Sequence, residues 1–119
     1  MNRIMTGLLV FVAVFILLGT ACSGSSGGRQ VAITQTDDGC TPQTVRAASG
    51  EKLTFKIQNQ GKKDHEFEGI NGTKVPEVEV PAGHTRSVDY TAPKQSSTQQ
   101  IKCYIPNGST TIISVTAGG

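Results

Sequence analysis

Residues 51–70 read EKLTFKIQNQGKKDHEFEGI. Leu53, Phe55 and Ile57 alternate with Thr54, Lys56 and Gln58, a period of two that predicts a strand with one buried face. Asn59-Gln60-Gly61 breaks that pattern, and Lys62 and Lys63 keep the connection in water. The chain returns as His65-Glu66-Phe67-Glu68, the densest cluster of metal-capable side chains in the sequence. On a strand Glu66 and Glu68 share one face, while His65 and Phe67 share the other. A strand, an Asn-Gly break and a returning strand headed by His would build a site at one end of a β-sandwich.

The flanking sequence repeats the same grammar. Val31–Thr36 predicts a first strand with Val31 and Ile33 on one face, closed by the turn signal Asp37-Asp38-Gly39. Cys40-Thr41-Pro42 reads as an irregular extended piece, and Thr44–Ala47 as a short strand. Asn71-Gly72 is a tight-turn dipeptide. Val75–Val80 alternates, but Pro76 marks it as edge or irregular. Thr85–Thr91 predicts a strand with Arg86, Val88 and Tyr90 on one face. Gln99–Ile105 predicts another, with Ile101, Cys103 and Ile105 together, and Thr110–Thr116 closes the series. No helical periodicity follows residue 21. Short strands with a turn signal every eight to twelve residues or so predict an antiparallel sandwich or barrel.

The N-terminus belongs to another class. Arg3 is the only charge in residues 1–6, Gly7–Leu18 is uninterruptedly apolar, and Gly19-Thr20-Ala21 leads to Cys22. That is the pattern of a secretory signal, too short for a span of roughly 20 apolar residues. The cysteine after small residues resembles a bacterial lipobox, with Leu18 four residues before Cys22 rather than three. The resemblance implies a signal peptide over 1–21 and a lipidated Cys22. A flexible Ser/Gly tether would follow over 22–29, and a folded domain over 30–119.

The chain carries a net charge of +2 from 11 basic and 9 acidic residues. Loss of Arg3 leaves the exported part nearly neutral, with no basic stripe, so nucleic acid is excluded as a partner. Assigning Cys22 to lipid leaves Cys40 and Cys103, an even pair in an oxidising compartment, which predicts a disulfide. No Ser-His-Asp or Cys-His arrangement is defensible, and an enzyme is not expected.

Asp38-Gly39-Cys40-Thr41-Pro42, Gly50, Phe55-Lys56-Ile57-Gln58-Asn59, Glu66-Phe67-Glu68, Pro81-Ala82-Gly83 and Cys103 together resemble a cupredoxin-like domain. The subtype most similar is the N-terminal domain of the EfeO iron-uptake lipoproteins. The resemblance implies an all-β, cupredoxin-like antiparallel Greek-key β-sandwich of seven to eight strands, preceded by a signal-peptide helix. It places His65 at the family's first ligand histidine and Cys103 at its ligand cysteine. A blue-copper site needs two imidazoles, a thiolate and a weak axial group. Cys103-Tyr104-Ile105-Pro106-Asn107-Gly108-Ser109 supplies neither a second His nor a Met, so no complete type 1 copper set is expected.

Two functions stay open at this level. The first is a membrane-anchored, extracytoplasmic metal-handling module for iron or copper, with His65, Glu66 and Cys103 as ligands and a metal-uptake permease or other envelope protein as partner. The EfeO resemblance would add Cys40 to such a site, provided both cysteines are reduced. The second is a metal-free cell-envelope interaction domain with a structural Cys40–Cys103 disulfide. Glu66 and Glu68 would then form a solvated face. His84, in the turn after Pro81-Ala82-Gly83, is expected to be exposed.

Overall fold

The computed structural model describes residues 28–118. The expected signal segment, Cys22 and all of the expected tether except Gly28 and Arg29 lie outside the described residues. Among those described, the chain forms nine strands and no α-helix. They are β1 (Arg29–Thr36), β2 (Gly39–Thr41), β3 (Thr44–Ala47), β4 (Lys52–Asn59), β5 (His65–Ile70), β6 (Val78–Val80), β7 (Thr85–Thr91), β8 (Ser97–Tyr104) and β9 (Thr110–Ala117). The first strand takes in Arg29, which the sequence reading left in the tether.

A four-stranded sheet in the order β2-β1-β4-β7 faces a five-stranded sheet in the order β3-β9-β8-β5-β6. The all-β sandwich is the expected one, but the sheets are mixed rather than wholly antiparallel. β1 runs parallel to β4, and β3 parallel to β9. The reason lies in the connection. After β2 the chain crosses to the other sheet to form β3, so β1 meets β4 only after a crossover, the route that parallel neighbours require.

Two further differences have local causes. Cys40 is not in an irregular piece: Asp37-Asp38 makes a two-residue turn, and Gly39–Thr41 pairs back on β1 with Thr36 opposite Gly39. Pro76 has no N–H to give a ladder, and the strand there is confined to Val78–Val80.

The period-two residues form the core as read. Leu53, Phe55 and Ile57 of β4 are fully buried against Phe67, Val80, Ile101, Ile113 and Val115 of the opposite sheet. The Phe55 and Phe67 rings meet across the sheets with centroids 5.6 Å apart at 59°, a favourable tilted arrangement. At the β5–β6 connection, Asn71 (φ 54°) and Gly72 (φ 85°) both adopt left-handed backbone, which an Asn-Gly pair accepts at low cost. A side chain at Gly69 would strike the Thr73 carbonyl, so this glycine lets the 71–77 loop fold back onto β5.

Truncating the inter-sheet contact should show where the stability sits. Phe55→Ala is expected to lower the unfolding free energy by about 3–5 kcal/mol in urea titrations. Ile112→Ala, at a site 39% exposed on β9, should change it by no more than about 0.5 kcal/mol.

Candidate functional site

One end of the sandwich gathers the end of β1, the β1–β2 turn, the β4–β5 loop, the start of β5 and the end of β8. Strand periodicity fixes what each contributes. Gln35 falls in register with Val31 and Ile33, so a polar side chain points inward and is fully buried. Asn59 ends β4 on the same inward phase as Ile57 and is also fully buried. Its Nδ2 donates to the Lys63 carbonyl at 2.8 Å and to the Val80 carbonyl at 2.9 Å, and its Oδ1 accepts from Gly61 N–H at 2.9 Å. One asparagine thereby holds the loop that delivers His65.

His65 is only 1% exposed. Its Nδ1 lies 3.0 Å from the Lys63 carbonyl and its Nε2 2.8 Å from the Thr36 carbonyl. Both partners are acceptors only, so each contact asks for an N–H. A neutral imidazole has one N–H and satisfies one contact; the doubly protonated ring satisfies both. Both ring nitrogens are turned toward main-chain carbonyls, so neither has open space in front of it for a metal.

Cys103 is bonded to Cys40, 63 positions apart in sequence, with Cα atoms 6.4 Å apart. Both are almost fully buried. Gln35 Nε2 donates to the Cys103 sulfur at 3.3 Å, while Gln35 Oε1 has no hydrogen-bond partner among the described residues. On the outside of this end, the Asp37 carboxylate accepts from Lys62 N–H at 3.0 and 3.2 Å and from Lys63 N–H at 3.2 Å. The Lys62 bond chiefly, then the Lys63 bond and the His65 charge, hold the Asp37 carboxyl below the usual carboxylate range.

Glu66 faces the other way. It and Glu68 lie on the outer face of the five-stranded sheet, with Phe67 between them in the core, as the alternation requires. Glu66 accepts a short hydrogen bond from the hydroxyl of Tyr104, its cross-strand neighbour, and Glu68 stands opposite Lys102. The Lys102 ammonium sits 3.8 Å from the centre of the Tyr104 ring. That bond to Glu66 pushes the Tyr104 phenol up, and the Glu66 charge, followed by burial and the Glu68 charge, pushes the Glu77 carboxyl up. His84 is exposed in the turn before β7; its main-chain carbonyl accepts from Asn59 N–H at 2.9 Å.

The sequence model of the cupredoxin-like domain matches residues 8–97. The chain belongs to the cupredoxin-like domain family. Among solved structures, the dithionite-reduced auracyanin of Roseiflexus castenholzii superposes with a TM-score of 0.62 at 12% identity, over 78% of this chain and 99% of that one. The copper nitrite reductase of Nitrosomonas europaea gives a TM-score of 0.65 at 10% identity, over 85% of this chain and 53% of that one. At such identities the likeness is one of fold. No curated protein matches the sequence.

Family membership raises the question of copper, and the donors present do not fit a type 1 centre. Both cysteines among the described residues, Cys40 and Cys103, are committed to a disulfide, so neither offers a thiolate, and the His65 imidazole is enclosed by two carbonyls. The expected set of His65, Glu66 and Cys103 is not brought together: His65 and Cys103 point into the sandwich and Glu66 points out. Among the described residues, no group of three or more His, Cys, Asp or Glu side chains is placed to hold a metal ion. Sequence reasoning overlooked Gln35, although a polar residue in an inward phase of β1 was its visible signal. It also overlooked the Asn59 and Tyr104 contacts, which depend on cross-strand register.

Because the folded Asp37 pKa is depressed, its contribution is present above the unfolded value of about 3.9 and is lost as pH falls through the folded value. Asp37→Asn should therefore be less stable than the parent at pH 7. The difference should shrink as urea unfolding is repeated at pH values stepped down below the unfolded value of about 3.9.

Proposed function

We propose that this chain is a membrane-anchored, extracytoplasmic cupredoxin-like domain that serves the cell envelope as a binding module and holds no type 1 copper while its cysteines are oxidised. One observation carries the reading: the family's ligand cysteine, Cys103, is bonded to Cys40. A disulfide sulfur lacks the thiolate charge on which a copper or iron bond would rest. The enclosure of His65 supports the same view, since its nitrogens serve the main chain instead. Export supports it from the sequence: the signal-like N-terminus, the lipobox-like Cys22 and the paired cysteines suit one oxidising compartment. The partner in this reading is another envelope protein. No catalytic residue is required, and the neighbours named for copper enzymes lend a fold, not a reaction.

A second reading, iron or copper handling of the EfeO type beside a metal-uptake permease, is favoured by one detail. Gln35 Oε1 is buried without a partner, and the same amide touches the Cys103 sulfur. Two-electron reduction of the disulfide by a dithiol would give two thiols next to that amide oxygen. Metal handling of this kind belongs to the reduced form alone.

Full-length chain purified unreduced from an exporting host is expected to show no free thiol and no stoichiometric uptake of copper(II) or iron(II). One free thiol, mapped to Cys22, would remove the lipid anchor and leave the disulfide standing. Free thiols at Cys40 and Cys103 would overturn the reading. One equivalent of metal bound only after reduction, and lost in Cys103→Ser, would establish the second reading in its place.

A further inference from the structure

The chain enters the domain at the end of the sandwich opposite the disulfide, and that end is basic. Arg29 opens β1 beside Leu53 at the start of β4, and Leu53 stands opposite Tyr90 near the end of β7. A side chain at Gly28 would strike the Lys52 carbonyl, so the incoming chain runs directly against β4. Neighbouring loops are drawn to the same place. The Arg29 guanidinium donates to the Arg46 carbonyl at 2.8 Å, Gly50 N–H donates to the Pro93 carbonyl at 3.0 Å, and Lys94 borders Gly50. Lys74, from the loop after β5, shares a wall with Thr91 and Pro93.

Arg29, Arg46, Lys52, Lys74 and Lys94 are all exposed there, and Glu51 is the one acidic side chain that the described residues place among them. Glu51 is held by Arg29 at 2.9 Å, which leaves the charges of Arg46, Lys52, Lys74 and Lys94 facing solvent. Asp89, lower on β7, accepts from the Thr54 hydroxyl at 2.8 Å. The loops of the disulfide end carry Asp37, Asp38 and Asp64 against Lys62 and Lys63. A domain that is nearly neutral as a whole is thus polarised along its strands.

The second observation is a length. Seven residues run from Cys22 to Gly28, and even fully extended they span no more than about 25 Å. A lipid on Cys22 would bring the basic end to the headgroups before any other part of the domain. Anionic headgroups attract each nearby Lys or Arg, and the attraction fades over a Debye length of about 8 Å at physiological salt.

We propose that this end is a docking face for anionic lipid headgroups of the membrane that holds Cys22. The inference rests on the lipid-anchor reading above and adds an orientation that a tether alone does not impose. Arg46, Lys52, Lys74 and Lys94 meet the headgroup phosphates, and the strands rise away from the surface. The disulfide end, with its acidic loops, is left outermost as the face that an envelope partner meets.

The test places ¹⁵N-labelled full chain in nanodiscs that contain a gadolinium-chelating headgroup lipid, which broadens nearby amide signals. In discs rich in phosphatidylglycerol, broadening should centre on residues 46–52, 72–74 and 92–95. It should spare 37–39 and 61–64, which lie a strand length of about 25 Å further out. That contrast should be lost in discs of phosphatidylcholine and in about 1 M NaCl, where the Debye length is about 3 Å. It should also be lost in the triple variant Lys52→Glu, Lys74→Glu, Lys94→Glu, and should persist in Lys62→Glu, Lys63→Glu. Equal broadening of both ends in the anionic discs would overturn the docking face and leave the anchor standing. So would a contrast that survives in phosphatidylcholine, or one that follows Lys62 and Lys63. Chain that separates from discs of either composition would overturn the anchor, and the docking face with it.

Discussion

Cys40 and Cys103 join the two layers of the sandwich covalently. Cys40 sits on β2, at the edge of the four-stranded sheet, and Cys103 on β8, inside the five-stranded one. Closing a loop of 63 residues removes enough unfolded-state entropy to be worth about 4 kcal/mol. A domain of this size has a net stability of only about 5–15 kcal/mol, so the bond is a large share of the margin. It also explains why a strand as short as β2 persists at an edge. Gly39–Thr41 has three ladder positions with β1, the bond to β8, and a hydrogen bond from Cys40 N–H to Thr111 Oγ1 at 3.1 Å.

The same sulfur atoms decide the chemistry of that end. A cysteine can be a structural tie or a thiolate ligand, and here it is the former. The surrounding polar groups have settled around that choice: Asn59 satisfies the loop, His65 bridges two carbonyls, and Asp37 gathers two main-chain N–H groups. Such a network, nearly complete within the protein, rigidifies its end of the fold. A metal drawing on His65 would have to break contacts of 2.8 and 3.0 Å before forming any bond of its own.

The sequence foretold what local pattern encodes. Alternation at Leu53, Phe55 and Ile57 placed the core, and the same alternation separated His65 from Glu66 before any coordinates did. Cysteine parity foretold the disulfide. Pairing between distant strands was not legible, because a strand's sequence states which face it buries and not which neighbour it takes. The parallel β1–β4 and β3–β9 ladders follow from a crossover with no local signature. The Glu66–Tyr104 bond and the Asn59–Val80 bond likewise depend on register between segments 21 to 38 residues apart. Tyr90 is the sharpest case: its inward phase was evident, but only the packing around it reveals that the hydroxyl has nothing to bond.

Each end of the sandwich leaves one buried polar atom unpaired among the described residues, Gln35 Oε1 at the disulfide end and the Tyr90 hydroxyl at the other. Strand ladders consume main-chain donors and acceptors along their length, so recognition is left to the ends, where loops meet and side chains of both sheets converge. At the disulfide end the inward polar residues Gln35, Asn59 and His65 bond to main chain or to sulfur, and only Gln35 Oε1 is left over. At the other end the Tyr90 hydroxyl is buried in the core beside Phe55 without a partner among the described residues. A paired polar group adds rigidity, whereas an unpaired one lowers stability until something binds it.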